Sequence, residues 1–335
     1  MNWLARLGDD FFHGVLRVIR EQQAVRLARM TPAQLAYFER NEAWGIRARC
    51  AAGMTLELRT DSPYLDIRFC VLSSCRRFFG IDVEIDGIVS HAVRIEAGEP
   101  FYEGRLFELP GRGPRCIRVH LPYTFEIRLE QVGLAQGASV EPLPLRSHRL
   151  LTLGDSITQG MEARSPIASF PVQLARLLDA ELLNQGVGGH IFDVQALDPN
   201  LGLEPALVIV AYGTNDWGQK DAGQFRRDVR EYLRKLRSMW PAERTRIAVV
   251  SPLWRATGSQ KKHGFDLLDF SRVILEEAAQ LSGAVAVDGL TLVPNQPWYF
   301  SDGTHPNDAG FLHYAVNLYR ALFPPQAGRT SVIAR

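Results

Sequence analysis

The sequence predicts an α/β protein made of an all-β half followed by a half with a parallel sheet covered by helices. Three observations carry this. Short segments with alternating polarity fill the first ~140 residues. The stretch 135–148, AQGASVEPLPLRSH, has no period and contains two prolines. From 149 onward, continuous apolar runs alternate with amphipathic helical patterns. A chain of 335 residues is long enough for two cores. The expected division is a β-sandwich over 1–140, a linker over 141–148 and a second domain over 149–335.

In the first half, MTLELRTDS and YLDIRFCVL alternate apolar and polar residues as half-buried strands do. FGIDVEIDGIVSHAVRI reads as a hairpin around Asp86-Gly87, a dipeptide suited to a primed turn. RCIRVHLP and TFEIRLEQVGL add two more strands. FFHGVLRVIR fits a strand or an amphipathic helix, and Val15, Val18 and Ile19 favour the strand. TPAQLAYFER reads as a short helix capped by Thr31 with Pro32 in its first turn. Many short antiparallel strands and few helices predict a sandwich of jelly-roll type.

In the second half the expected strands are 149–154, 181–184, 206–212, 246–252 and 284–288. Helical patterns lie between them in SFPVQLARLLDA, QFRRDVREYLRKLRSMW, DLLDFSRVILEEAAQL and NDAGFLHYAVNLYRALF. Ligands of such sheets bind beyond the carboxyl ends of the strands. Ser156, in LLTLGDSITQG, follows one of these ends, as do the segments NQGVGGH (184–190) and AYGTNDW (211–217).

Acyl transfer through a serine needs a base, a group that orients the base, and donors for the developing oxyanion. SDGTHPNDAG (301–310) supplies Asp302 and His305, three residues apart and within mutual reach on one turn. Backbone N–H groups of the glycine-rich 184–190 segment and the Asn215 amide are candidate donors beside the N–H of Ser156.

The blocks Gly-Asp-Ser-Ile-Thr, Asn-x-Gly-x-Gly-Gly, Gly-Thr-Asn-Asp and Asp-Gly-Thr-His-Pro, in this order across 149–323, resemble the SGNH (GDSL-type) hydrolase family. The resemblance implies a flavodoxin-like three-layer α/β/α domain. It also implies Ser156 as nucleophile, His305 as base and Asp302 as its orienting acid, with Ser156, Gly189 and Asn215 forming the oxyanion hole. LRTDSPYLDIRF and GIDVEIDG are similar to the β-sandwich that precedes some bacterial SGNH esterases, so the whole resembles two-domain carbohydrate acetylesterases. No GxSxG elbow occurs, which argues against an α/β-hydrolase. NQGVGGH lacks the third glycine of a dinucleotide fingerprint, since Ile191 stands there.

The expected function is therefore a serine esterase acting on short-chain, acetyl-type esters of a carbohydrate through an acyl-enzyme. A lipid- or thioester-directed hydrolase or an acyltransferase on the same fold is the alternative, and a non-catalytic carbohydrate-binding protein the third. His190 either touches substrate or caps the next turn. Trp217, Trp298 and Tyr299 either stack on a sugar ring, line an acyl pocket, or pack in the core. The segment QKKHG (260–264) reads as a solvated loop. No metal-ligand spacing or cofactor motif is visible, so neither is expected. A net charge of +1 excludes a nucleic-acid partner, and no apolar run reaches membrane-spanning length. Asp9 and Asp10 stand where a signal peptide needs apolar residues, so a cytoplasmic location is expected. Cys50, Cys70, Cys75 and Cys116 are expected as reduced, mostly buried thiols, a Cys70–Cys75 disulfide requiring an oxidising compartment. Oligomeric state is not legible.

Overall fold

The computed structural model describes residues 2–96, 99–109 and 113–324. The last part of the expected second domain, 325–335, lies outside the described residues.

The first half contains β1 (Phe12–His13), β2 (Arg17–Glu21), β3 (Ala24–Ala28), β4 (Thr55–Thr60), β5 (Tyr64–Ser74), β6 (Phe78–Ile85), β7 (Ile88–Glu96), β8 (Phe101–Glu108), β9 (Arg115–His120), β10 (Phe125–Gly133) and β11 (Val140–Pro142). They form two antiparallel sheets, ordered β1-β4-β9-β6-β7 with β11 also on β4, and β2-β3-β10-β5-β8. Alternation places Phe125, Ile127 and Leu129 of β10 inward, against Leu56, Leu58, Ile81 and Val119 of the opposite sheet. This is the expected sandwich. Asp86 and Gly87, at φ +52° and +83°, make the predicted primed turn between β6 and β7.

FFHGVLRVIR is extended, as its β-branched residues favour, but it splits between the two sheets. Gly14, at φ +71°, turns the corner where a Cβ would strike the Gly53 carbonyl. Two helices follow β3. The predicted α1 (Pro32–Phe38) carries a full capping box between Thr31 and Gln34. The second, α2 (Glu42–Arg49), starts at Asn41, whose side chain accepts from the Trp44 N–H at 3.1 Å. It shows no continuous apolar stripe, so periodicity does not reveal it. The strands β3 and β8 are likewise additions to the sequence reading. Within 135–148 the short strand β11 pairs with β4, and the chain then crosses to the second half.

The second half contains β12 (His148–Gly154), β13 (Ala180–Gly186), β14 (Leu207–Ala211), β15 (Arg246–Val250) and β16 (Ala284–Val287). They form one parallel sheet in the order β13-β12-β14-β15-β16, as the resemblance implies. Its helices are α3 (Ser156–Gln159), α4 (Phe170–Leu178), α5 (Ala222–Met239), α6 (Leu267–Ala279) and α7 (Asp308–Leu322). Phe170, Phe311, Tyr314 and Leu318 of α4 and α7 cover one face of the sheet. Phe225, Tyr232, Phe270 and Ile274 of α5 and α6 cover the other. Among the described residues no helix is long and apolar enough to cross a membrane.

The halves meet through the α1–α2 pair, where Met30, Tyr37, Phe38 and Ala48 pack against Val187 and Ala196. Beside them lies Arg29, fully buried. Its guanidinium donates to the carbonyls of Cys50 (2.8 Å), Arg47 (2.6 Å) and Asn184 (2.7 Å). Burial lowers its pKa to about 10, so it stays charged at neutral pH. Three carbonyls from both halves thus share one cation. Arg29→Met should lower the unfolding free energy by at least ~3 kcal/mol, because it strands these acceptors. Urea denaturation measures this; a loss within experimental error would show that the bridge contributes nothing.

Candidate active site

Strand β12 ends at Gly154, packed so closely that a Cβ there would meet the Ala211 carbonyl at 2.7 Å and the Thr158 side chain. Asp155 then caps α3, accepting from the Ile157 N–H at 2.9 Å. Ser156 is the first residue of the helix, and its own N–H has no intrahelical acceptor. Burial raises the Asp155 carboxyl to about 7.

After β16 the chain presents Asp302 and His305 opposite this serine. His305 Nε2 lies 2.8 Å from Ser156 Oγ, and His305 Nδ1 lies 2.7 Å from Asp302 Oδ2. Asp302 Oδ1 also accepts from the N–H groups of Thr304 (3.0 Å) and His305 (2.8 Å). Partial burial works to raise the Asp302 pKa, but the bonds from the His305 backbone and ring outweigh it and hold the carboxyl below its usual range. The imidazole is thus oriented on one nitrogen and bonded to the serine on the other.

The donor side is built from three loops. Asn184 joins the first two: its Nδ2 donates to the Thr158 carbonyl at 2.8 Å, and its Oδ1 accepts from the Gly186 N–H at 2.8 Å. Gln159 Oε1 takes the Gly188 N–H at 2.9 Å. The Gly189 N–H, in the left-handed turn at φ +77°, has no acceptor among the described residues. Asn215 Nδ2 spends one proton on the His190 carbonyl at 3.0 Å and keeps the other. Ser156, Gly189 and Asn215 therefore hold free donors, while Gly186 and Gly188 do not.

Of the four expected substrate contacts, the structure corrects two. His190 is fully buried among Tyr37, Phe38, Trp44 and Tyr212, with Nε2 3.0 Å from the Tyr37 hydroxyl. It braces the loop rather than facing the cleft. Burial lowers its pKa to about 3. Trp217 is 2% exposed and donates its indole N–H to the Phe265 carbonyl at 3.2 Å. It is the floor of a loop, with no open face for a sugar ring. Trp298 stands 68% exposed. Tyr299 packs edge-on against His313, 5.0 Å between centroids. Neither makes a hydrogen bond or ring contact with Ser156, Asp302 or His305. The cysteines are all free, but only Cys50 is fully buried. Cys50 and Cys75 lie 3.9 Å apart at sulfur, and Cys70 bonds instead to Glu130 at 2.8 Å.

Several site residues carried no sequence signal. Trp44 and Arg47 of α2 roof the glycine loop. A Cβ on Gly189 would lie 3.0 Å from Arg47 Nη1 and 3.5 Å from Trp44 Nε1, and Arg47 Nη1 donates to the Gly188 carbonyl at 2.9 Å. Glu162, in a left-handed conformation at φ +72°, brings its carboxylate within 4.8 Å of Asp302 and His305 and pairs with Arg76 at 2.7 Å. These contacts join residues far apart in the chain, so local pattern does not disclose them. A cleft of about 770 Å³ between the halves, lined by 12–19 and 201–203, lies at the amino ends of β12 and β13 and holds none of these groups.

Residues 152–311 match the model of the GDSL-like Lipase/Acylhydrolase family. These residues form a GDSL-like lipase/acylhydrolase domain, of the SGNH type. No curated protein matches the sequence. Among solved structures, the chain is similar to a salicylyl-acyltransferase from a tetracycline biosynthetic pathway, at 20% identity and TM-score 0.78, covering 93% of each chain. A putative GDSL-like lipase from Bacteroides ovatus matches at 18% identity and TM-score 0.76, covering 93% of this chain and 94% of that one. An acetyl xylan esterase from the rumen bacterium Butyrivibrio proteoclasticus matches at 15% identity and TM-score 0.64, covering 95% and 97%. At these identities the likeness is one of fold, and it extends over the β-sandwich as well as the GDSL-like domain.

His190 gives a pH-dependent expectation. It is neutral in the native state, whereas an unfolded histidine takes up a proton below about 6.5. The unfolded state therefore binds more protons between pH 6.5 and about 3, and stability falls as pH drops through that window. In His190→Gln this acid loss should be shallower, read from urea midpoints at pH 7.5 and 5. An unchanged slope would show that His190 is not the group responsible.

Proposed function

We propose that the protein is a serine esterase that removes short acyl groups, acetyl above all, from a carbohydrate. The observation that carries this reading is the unbroken chain of hydrogen bonds from Ser156 through His305 to Asp302. As Ser156 Oγ attacks the acyl carbon, its proton passes to His305 Nε2, and Asp302 steadies the imidazolium on Nδ1. The tetrahedral oxyanion takes hydrogen bonds from the N–H groups of Ser156 and Gly189 and from Asn215 Nδ2. Collapse expels the alcohol, which leaves with the proton from Nε2. Water then attacks the acyl-enzyme, gives its proton to His305, and the carboxylic acid is released as Ser156 recovers its own.

The short acyl preference is supported by the crowding over Gly189, where Trp44 and Arg47 stand at contact distance. The carbohydrate is supported by the fold likeness to carbohydrate esterases. A second reading is favoured by the similarity to an acyltransferase along nearly the full chain. The same acyl-enzyme yields acyl transfer when an alcohol in place of water occupies the site.

Ser156→Ala should cut hydrolysis of nitrophenyl acetate by at least about a thousandfold without lowering the thermal midpoint. Asn215→Ala should cost roughly a hundredfold in kcat, the usual loss on removing one oxyanion donor. Retained turnover in the serine variant would remove the assignment. A rate maximum at nitrophenyl esters of about eight carbons or more would overturn the short-chain preference.

A further inference from the structure

The cations close to the site divide into two kinds. Arg76 pairs with Glu162, and Lys220 pairs with Asp216 and Asp228. Arg47 is committed to the Gly188 carbonyl, whereas Arg255 and Lys262 have no carboxylate at ion-pair distance among the described residues. Both stand over the indole of Trp217, with the guanidinium carbon of Arg255 5.4 Å and Lys262 Nζ 4.0 Å from the ring centroid. An aromatic face attracts a cation but accepts none of its hydrogen bonds conventionally, so the donors remain available. Arg255 Nε is buried with no acceptor, and Nη1 makes one long bond, 3.4 Å, to the Thr214 carbonyl.

The backbone that carries the two cations is tied down. Lys262 and Phe265 exchange backbone bonds of 2.8 and 3.0 Å across a tight turn with positive φ at His263 and Gly264. The Trp217 indole N–H fixes that turn through the Phe265 carbonyl. On the other side, the Ala256 N–H donates to the Gly303 carbonyl at 2.8 Å, which ties Arg255 to the loop of Asp302 and His305. Thr214, which Arg255 touches, precedes Asn215. Arg255 thus stands on the side of Asp302 and His305, the residue that hands its proton to the departing alcohol, and Lys262 shares the Trp217 ring with it.

We propose that Arg255 and Lys262 receive an anionic group, a carboxylate or a phosphate, on the alcohol part of the ester substrate. The inference rests on the esterase reading above. A planar guanidinium with free N–H groups and an ammonium over the same indole are donors of the kind that carboxylates and phosphates select. The loop that supplies Lys262, QKKHG, is then part of substrate recognition rather than a solvated connection.

The test compares acetate release from mono-acetylated methyl glucoside, methyl glucuronide and glucose 6-phosphate, with nitrophenyl acetate as a neutral reference. The expected result is a kcat/KM at least about tenfold higher for one of the anionic sugars, carried mainly by KM and weakened by salt. Preference for the glucuronide identifies a carboxylate, and preference for the sugar phosphate identifies a phosphate. In Arg255→Ala and Lys262→Ala the ratio of anionic to neutral kcat/KM should fall toward one, whatever the neutral rate does. Arg255→Lys should keep part of it, and Lys261→Ala, at an exposed neighbour, should keep all of it. Calorimetric binding of the three unacetylated sugars reads the same preference without turnover. Hydrolysis of nitrophenyl acetate with equal rates and equal binding for all three sugars overturns this inference and leaves the esterase intact. Absence of all ester hydrolysis removes the esterase reading, and the binding comparison then decides whether the anion site stands.

Discussion

A guanidinium without a counter-charge sets the relation between the two halves. Arg29 leaves the end of β3 and donates to carbonyls at the end of α2 and to Asn184 in β13. A buried cation that lost any one of these acceptors would be strongly disfavoured, so the three carbonyls are held at fixed separation. Asn184 is also the residue that binds the Thr158 carbonyl and the Gly186 N–H. The turn carrying Ser156 and the glycine loop therefore share a brace that reaches into the β-sandwich. The first half is accordingly part of the site's framework: its helices α1 and α2 supply Trp44 and Arg47 above Gly189, and Tyr37, Phe38 and Trp44 around His190.

Around the serine, the structure separates groups that are satisfied from groups that are free. Gly186 and Gly188 spend their N–H groups on Asn184 and Gln159, while the N–H groups of Ser156 and Gly189 stay open. Asn215 divides its two protons between the His190 carbonyl and the cleft. The same distinction applies to charge. Asp216 is buried yet accepts from Lys220 and the Phe192 N–H, whereas Arg255 keeps a buried Nε without an acceptor. Leaving a buried donor unmade is costly in a folded protein.

Most of the architecture was legible in the chain because each half states its period. The alternation in β4, β5 and β10 and the continuous apolar runs of β12, β14 and β15 match the observed strands, and Thr31 caps its helix as expected. The elements that were not legible have identifiable reasons. Helix α2 lacks an apolar stripe and is held by Asn41 and by packing against Val187. The hairpin of β2 and β3 turns at Gln22, a residue at φ +53° with no glycine to announce it. Gly14 splits one apparent strand between two sheets because only a residue without a Cβ passes Gly53.

The sequence by itself determined the two-part fold class, and its resemblance to the SGNH family named Ser156, His305, Asp302, Gly189 and Asn215 as one group, because the four blocks that carry the resemblance are short and contiguous in the chain. Tertiary structure alone decided what surrounds them. His190 and Trp217 look like candidate contacts in one dimension, yet packing from α1, α2 and the 255–265 loop buries both. Trp44, Arg47, Glu162 and Arg255 look unremarkable in the chain, yet the fold carries each to the edge of the serine site. Burial and proximity depend on residues brought together from distant parts of the sequence, and no local pattern encodes them.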